Sequence, residues 1–240
     1  MAFVFHSEEI LNLVKEIESI RDLATDKKNK LISDFPNYDI NKDARITTFS
    51  KFINVANSTQ LLLTFIGQHL LDVEWWKQTA KTDIPTSDKN IYSNEVQSFT
   101  KLGFVQFIFS SVESGIRLIL RTIDPTSCSG GTAEFKSIYD TLLNSKLIVK
   151  PEDSIELLDL LRLVRNTIHN NGVYFHRNGS NQSVNYKGVQ YNFTIGVPVD
   201  FVTWEFITSI SKDLITLLDK IFRDQNVSSI QPTIIDPFAT

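Results

Sequence analysis

The sequence predicts a mainly α-helical protein, a bundle with extra helices at its amino terminus and one small β-hairpin or meander before the last helix. Apolar residues recur every three or four positions along most of the 240 residues, as they do in amphipathic helices. Glycine (9) and proline (7) are scarce and 42% of the residues are hydrophobic, so the chain can bury a real core. Only between Val173 and Val197 do aromatic and β-branched residues alternate as in strands.

The first 90 residues are expected to form a helical extension packed on the rest of the protein. Its first helix, about Ser7 to Ser33, opens with two glutamates and continues with apolar residues at helical spacing. After a turn, a second helix is predicted from about Thr48 to Lys81. This helix carries His69 and, near its end, the pair Trp75-Trp76, which we interpret as core or interface packing.

Residues 91–225 are predicted to form the main helical domain, and residues 226–240 a loosely held tail. A polar loop over Thr82–Asn94 leads into the most apolar helix, about Asn94 to Ile123. Because apolar residues cover more than one face of that helix, we expect it at the centre of the bundle. A shorter helix follows from about Thr132 to Ser145.

The next helix, which we call the motif helix, begins at Pro151-Glu152-Asp153. Near its end it carries four polar residues: Arg162, Arg165, Asn166 and His169. At about 100° per residue, His169 lies roughly 20° from Arg162 and roughly 40° from Arg165 around the axis, so these groups share one face. The following Asn171-Gly172 suits the left-handed conformation that commonly closes a helix.

The strand-like segment should form its hairpin or meander between the motif helix and the last helix. Asn178-Gly179 and Lys187-Gly188 are its turn candidates. His176 would lie on the first strand, and we interpret it as surface or hairpin packing. The last helix is predicted from about Phe201 to Asp224, with apolar residues again at helical spacing.

Composition narrows the function classes. The net charge of −4 argues against a strongly basic nucleic-acid binder, so any such activity must depend on a local cluster. The single cysteine, Cys128, permits no internal disulfide and agrees with a reducing compartment. Residues 1–7 lack the pattern of an export signal and no segment reaches 18 uncharged apolar residues, so we expect a cytoplasmic protein without a membrane span.

The motifs of common cofactor and metal enzymes are missing from the sequence. It contains no phosphate-binding loop, no His-Glu-x-x-His, no dinucleotide glycine fingerprint and no Gly-x-Ser-x-Gly. We therefore expect no cofactor and no metal site, and the polar face of the motif helix remains the best candidate for chemistry or for a binding contact.

The motif helix and the apolar helix before it together resemble the HEPN superfamily, named for higher eukaryotes and prokaryotes nucleotide-binding. In that family a late helix carries an arginine, usually followed by a polar residue, and a histidine after a gap of four to six residues. Arg162 and His169 have a gap of six, whereas Arg165-Asn166 supplies the arginine-plus-polar pair at a gap of three. The principal arginine is thus undecided. The resemblance covers roughly Asn94 to Asp224, and within it Ser111–Arg117 resembles the earlier helix whose acid and small residues face the active helix.

The resemblance implies an antiparallel helical bundle that acts on RNA as a metal-independent endoribonuclease of the toxin or defence type. It also implies a homodimer and an antitoxin protein as a further partner. The catalytic residues would be Arg162, Arg165, Asn166 and His169, with support from Glu113, Arg117 and Asn170. An imidazole can serve as general acid or base near neutral pH, and a guanidinium can hold the scissile phosphate by two parallel hydrogen bonds. The 2′-hydroxyl would attack and leave a 2′,3′-cyclic phosphate.

Two other interpretations stay open. The same fold can be a non-catalytic HEPN-like interaction or dimerisation module, or an unrelated helical scaffold. In the interaction module the same polar face would bind a partner or support the dimer. In a purely structural interpretation the histidine and asparagine would only cap carbonyls at the helix end, while the arginines pair with Glu113, Glu156 or Asp159. Glu113 and Arg117 are four residues apart, so they form either an ordinary intrahelical ion pair or, through Glu113, a brace to a motif arginine.

Overall fold

The computed structural model describes residues 7–80, 84–130, 133–231 and 233–237. These residues form eight α-helices and one two-stranded antiparallel sheet, so the predicted mainly helical fold with a small hairpin is confirmed. The elements are α1 (Ser7–Asp34), α2 (Ala44–Phe65), α3 (Val73–Ala80), α4 (Thr86–Ile123), α5 (Phe135–Thr141), α6 (Ser154–Ile168), β1 (Gln182–Tyr186), β2 (Val189–Phe193), α7 (Trp204–Arg223) and α8 (Gln225–Ser228).

The prediction of one helix from Thr48 to Lys81 is wrong. Helix α2 already begins at Ala44 and passes after Phe65 into a single π-helical turn, Ile66–Leu70. A separate helix, α3, follows because the carboxylate of Asp72 accepts a hydrogen bond from the Glu74 amide at 2.9 Å and so caps a new amino terminus. The predicted end of the long helix, Lys81, lies outside the described residues.

The predicted polar loop over Thr82–Asn94 is also wrong from Thr86 onward, where α4 has already begun. Thr82 lies outside the described residues. The polar side chains of this stretch are compatible with a buried helix because their hydrogen bonds are satisfied locally: the Ser93 hydroxyl donates to the carbonyl of Lys89 at 2.8 Å. A domain boundary at residue 90 would therefore cut α4 near its start.

Helix α4 contacts α2, α5, α6 and α7, which agrees with its expected central place. By length and composition it could cross a bilayer, but 50% of its most apolar stretch is buried inside the fold. Its outer side lines an apolar groove of about 760 Å³ together with α2. Phe99 and Phe107 are exposed in this groove.

Helices α2 and α4 approach each other closely at Gly115. A Cβ atom built on this glycine would lie 2.7 Å from Oγ1 of the buried Thr48. The small residue therefore faces α2, not the motif helix that the resemblance implies for the small residues of this segment. The other helical glycine of α4, Gly103, has no atom within 4 Å of its Cβ position.

The hairpin is smaller than the alternating segment suggested. Strands β1 and β2 pair from Gln182↔Phe193 to Tyr186↔Val189, and Lys187-Gly188 forms the turn with positive φ at both residues. His176 precedes β1, so its predicted place on a first strand is wrong. The shorter helix α5 begins at Phe135 and ends in a π-helical turn, whereas its predicted start, Thr132, lies outside the described residues.

The described part of the predicted tail is well packed, so the expectation of a loosely held segment is wrong there. Val227 and Ile234 are buried against the main core. The segment is held by Arg45 of α2, whose Nη1 donates to the carbonyl of Val227 at 2.9 Å. Arg45 is itself paired with Asp43, at 2.6 Å between Nη2 and Oδ2, and both side chains are almost fully buried.

We predict that Gly115→Ala destabilises the protein by about 1–3 kcal/mol, because the new methyl group must displace Thr48 in a packed interface. Gly103→Ala in the same helix is the matched control and should stabilise by up to about 1 kcal/mol through helix propensity alone. Urea unfolding measures both. Equal effects of the two substitutions would contradict the close approach of α2 and α4.

We further predict that Arg45→Met lowers the free energy of unfolding by about 3–5 kcal/mol, because Asp43 then stays buried without its counter-charge. The double variant Asp43→Asn/Arg45→Met should recover part of this loss. Lys77→Met, which removes the exposed pair with Glu74, should cost about 1 kcal/mol or less. A loss at Arg45 no larger than that at Lys77 would refute a structural role for the buried pair.

Candidate active site

A cleft of about 990 Å³ brings most of the predicted site together. It lies between α6, the middle of α4, the start of α5 and the segment that leads into β1. Six of the seven predicted site residues line it: Glu113, Arg162, Arg165, Asn166, His169 and Asn170. The seventh, Arg117, does not line the cleft but bonds two residues that do, Glu113 and Ala133.

Helix α6 presents these residues because its other side is apolar and buried. Leu157, Leu160, Leu161 and Val164 pack into the core, which turns the polar face outward into the cleft. The helix ends as the sequence predicted: Asn171 and Gly172 have φ of 53° and 82°, and the Gly172 amide donates to the carbonyl of Thr167 at 2.9 Å. The polar face therefore stops where the chain turns back toward the cleft.

Arg162 is tied into a hydrogen-bonded network. Its Nη2 donates to Oδ1 of Asp159 at 2.7 Å, and its Nε lies 3.3 Å from the hydroxyl of Tyr139 on α5. Tyr139 donates to the same carboxylate oxygen at 2.6 Å, and Lys136 donates to Oδ2 at 3.1 Å. Arg162 thus pairs with a carboxylate of its own protein. This is the kind of pairing that the structural interpretation predicts for the motif arginines.

The network changes the acidity of its members. Burial alone would raise the pKa of Asp159, but hydrogen bonds from Tyr139, Arg162 and Lys136 outweigh burial and lower it. Burial and the hydrogen bond to Asp159 raise the pKa of Tyr139 well above its ordinary value. Asp159 is therefore an anion and Tyr139 a neutral donor at neutral pH.

Arg165 is placed differently. Its guanidinium lies 5.0 Å from the centre of the Phe109 ring, and Nη1 makes only a long contact of 3.5 Å with Oδ1 of Asn166. Its Nε is buried without a hydrogen-bond partner, and no carboxylate of a described residue forms an ion pair with it. A buried donor of this kind is rare in folded proteins, and the Arg165 side chain also lines the cleft, where its charge can attract an anion.

His169 is the exposed end of the polar face. His169 occupies the C-cap position, where α6 ends. Its imidazole makes no hydrogen bond with a described residue, so the side chain does not bind the free carbonyls at the helix end. Asn170 makes that kind of contact, since its Nδ2 donates to the carbonyl of Asn166 at 3.5 Å. The imidazole is therefore open to a ligand in the cleft, one helical turn beyond Arg165.

Glu113 and Arg117 form the intrahelical ion pair that their spacing allows, at 2.6 Å between Nη2 and Oε1. Arg117 also donates to the carbonyl of Ala133 with both Nη1 and Nη2, at 3.1 Å each. The pair therefore fixes the chain just before α5 against α4. A direct bond from Glu113 to a motif arginine is not present among the described residues.

The cleft has a second wall that sequence reasoning missed. Phe175, His176 and Arg177 line it from the segment between α6 and β1. The sequence pattern predicts only a packing role for His176, and Phe175 and Arg177 carry no local signal of a site. Their place depends on the bridge between Val173 and Pro198, which no spacing within the motif could reveal.

The described residues offer no group of three or more His, Cys, Asp or Glu side chains that could hold a metal ion. The side chains that line the cleft include three arginines, two imidazoles and several amides. This set can bind a phosphate group and move a proton at its edge.

We predict that Tyr139→Phe raises the pKa of Asp159, because the carboxylate loses its shortest hydrogen bond. A folded-state pKa below the ordinary value contributes stability that is present above about pH 4 and is lost as the pH falls through the folded pKa. The variant should therefore lose less stability than the parent when the pH falls from 7 to 3. Urea unfolding at both pH values, with an NMR titration of the Asp159 carboxyl carbon, measures the change.

The matched control is Tyr186→Phe, which removes a similar tyrosine-to-aspartate hydrogen bond, to Asp213 at 3.0 Å, between two residues that do not line the cleft. It should leave the pKa of Asp159 as it is in the parent. If Tyr139→Phe also leaves that pKa unchanged, the assigned role of the phenol in holding the Asp159 charge is wrong.

Comparison with known proteins found no relative of this chain. No protein-family model matches the chain, and neither the curated proteins nor the solved structures give a match. The site is therefore interpreted from its own residues.

Proposed function

We propose that this protein is a metal-independent endoribonuclease of the HEPN type, a cytoplasmic toxin or defence effector that cleaves RNA by attack of a 2′-hydroxyl. The observation that carries the proposal is Arg165, a guanidinium with a buried and unpartnered Nε–H, one helical turn from the exposed imidazole of His169 in a cleft of about 990 Å³. A phosphodiester offers an anion that the Arg165 guanidinium can bind, and its cleavage requires proton transfers that an imidazole can catalyse.

In the proposed reaction Arg165 binds the scissile phosphate and stabilises the extra negative charge of the phosphorane. This assigns the principal role to Arg165, since Arg162 already bonds Asp159 and serves to hold α6 against α5. The 2′-oxygen bonds to phosphorus and loses its proton to a base, while the bond from phosphorus to the 5′-oxygen breaks and that oxygen takes a proton. The products are a 2′,3′-cyclic phosphate and a 5′-hydroxyl.

His169 transfers one of the two protons. A homodimer that pairs two copies of α6 would bring a second His169 and a second Arg165 into one cleft and would supply the other proton transfer. Asn166 lies beside Arg165 and orients its guanidinium or the phosphate. An antitoxin protein that covers the cleft would be the further partner of this arrangement.

A non-catalytic interaction module is the second candidate. The observation that favours it is that Nε and Nη2 of Arg162 already bond Asp159 and Tyr139, which makes part of the motif a structural brace. In this alternative the remaining polar face of α6 contacts a partner protein or a second copy. Substitutions at His169 would then weaken assembly and leave RNA unaffected.

We expect the purified protein to cleave a mixed RNA pool in excess EDTA and to leave cyclic-phosphate ends. His169→Ala should reduce the rate by about 100-fold or more, as general acid–base catalysis contributes about 10²–10⁴-fold. Arg165→Lys should also reduce it strongly, because it keeps the charge but loses the guanidinium fork. Rates are followed by gel electrophoresis of end-labelled RNA.

His69→Ala is the matched control, since His69 lies in an aromatic cluster with Phe65 and Trp75 and does not line the cleft. Circular dichroism shows that each variant is folded, and sedimentation gives the oligomeric state. Cleavage that persists in folded His169→Ala would refute the assigned role. No cleavage by a folded, dimeric parent across several RNA classes would favour the interaction module.

A further inference from the structure

The second wall of the cleft carries an exposed aromatic ring on a rigid support. Phe175 lines the cleft, and 54% of its surface is exposed. Among the described residues no aromatic ring packs against that of Phe175. A large apolar side chain held open beside arginines and histidines differs from the scattered exposed residues of an ordinary surface, and it suits a planar ligand with a nearby negative charge.

The support is fixed by two backbone hydrogen bonds of Tyr174, the residue that precedes Phe175. The Tyr174 amide donates to the carbonyl of Val197 at 3.2 Å, and the Gly196 amide donates to the carbonyl of Tyr174 at 2.9 Å. Tyr174 is fully buried and packs on Phe193, at 5.4 Å between ring centres. Phe175 is therefore presented to the cleft by an anchored segment, so little ordering is needed when a ligand binds.

The next two residues add polar groups to this wall. The Nδ1 atom of His176 accepts a hydrogen bond from the Asn178 amide at 3.3 Å, so its Nε2 carries the proton. Arg177 lines the cleft, is exposed and forms no ion pair with a described carboxylate. Three successive residues thus offer the cleft an aromatic ring, an N–H donor and a cation. These groups are suited to the base, the sugar and the phosphate of a nucleotide, respectively.

We propose that Phe175, His176 and Arg177 form a nucleotide subsite, in which the base next to the scissile phosphate stacks on Phe175 and the following phosphate binds Arg177. This inference rests on the proposed ribonuclease function and adds to it the contact that selects the substrate. Stacking on Phe175 requires a base that is free of its neighbours, so the subsite takes an unpaired nucleotide.

The test uses the full chain and an eight-nucleotide RNA whose 2′-hydroxyls are methylated, so that it binds without being cleaved. Fluorescence anisotropy of the labelled probe gives the dissociation constant. Phe175→Ala should weaken binding about tenfold or more, whereas Phe175→Trp should keep parental affinity, because aromatic stacking tolerates either ring. Arg177→Ala should weaken binding and lower the salt dependence by about one released ion.

Phe107→Ala is the matched control, because Phe107 is 63% exposed but lies in the groove between α2 and α4. It should bind RNA as the parent does. A set of probes with a single abasic site at each position separates stacking from a structural effect: one position should weaken binding to the parent and have no effect on Phe175→Ala.

The outcomes separate the two proposals. If the parent cleaves RNA and binds the probe but Phe175→Ala binds equally well, the subsite is wrong and the ribonuclease proposal stands. Equal losses in Phe175→Ala and Phe107→Ala would also overturn the subsite, since the effect would not be local. If the folded parent neither binds nor cleaves RNA, both proposals fail.

Discussion

The arrangement of the helices around the cleft depends on the hydrogen bonds that the half-buried carboxylate of Asp159 accepts. A desolvated anion needs several donors, and Asp159 obtains them from two helices: Tyr139 and Lys136 on α5 and Arg162 on its own helix, α6. Because the donors come from both elements, satisfying one charge also fixes how α5 packs on α6. The walls of the cleft are thereby held apart at a defined spacing, while Glu113 and Arg117 hold the chain that leads into α5.

The two arginines of the motif, one helical turn apart, differ in the partners that the protein gives them. Arg162 is bonded to a carboxylate and a phenol, so its charge is largely used inside the protein. Arg165 rests against Phe109 and keeps a buried Nε–H without a partner. A guanidinium left unsatisfied in this way is costly to the folded state and valuable to a site that binds an anion, which is a common trade between stability and function.

The sequence predicted what local patterns determine. The face shared by Arg162, Arg165 and His169 follows from helical periodicity, and the left-handed turn at Asn171-Gly172 follows from backbone preferences. Local patterns do not predict long-range contacts. The bond from Arg45 to Val227 joins residues 182 positions apart, and for this reason the sequence alone does not show that the carboxyl-terminal segment is packed. The cap at Asp72 separates two helices whose apolar spacing resembles that of one continuous helix. Phe175 reaches the cleft only through pairing with residues more than twenty positions away.

The segment between α6 and α7, which contains the hairpin and which we call the excursion, begins and ends at neighbouring points of the fold. Val173 pairs with Pro198, and the Val199 amide donates to the carbonyl of Gly172 at 2.9 Å, so the ends of the excursion lie side by side. Because its two ends are joined in this way, the segment closes on itself as a loop. Its hairpin also packs on α6 and is bonded to α7, through Tyr186 and Asp213, so the same insert links the two helices and forms a wall of the cleft.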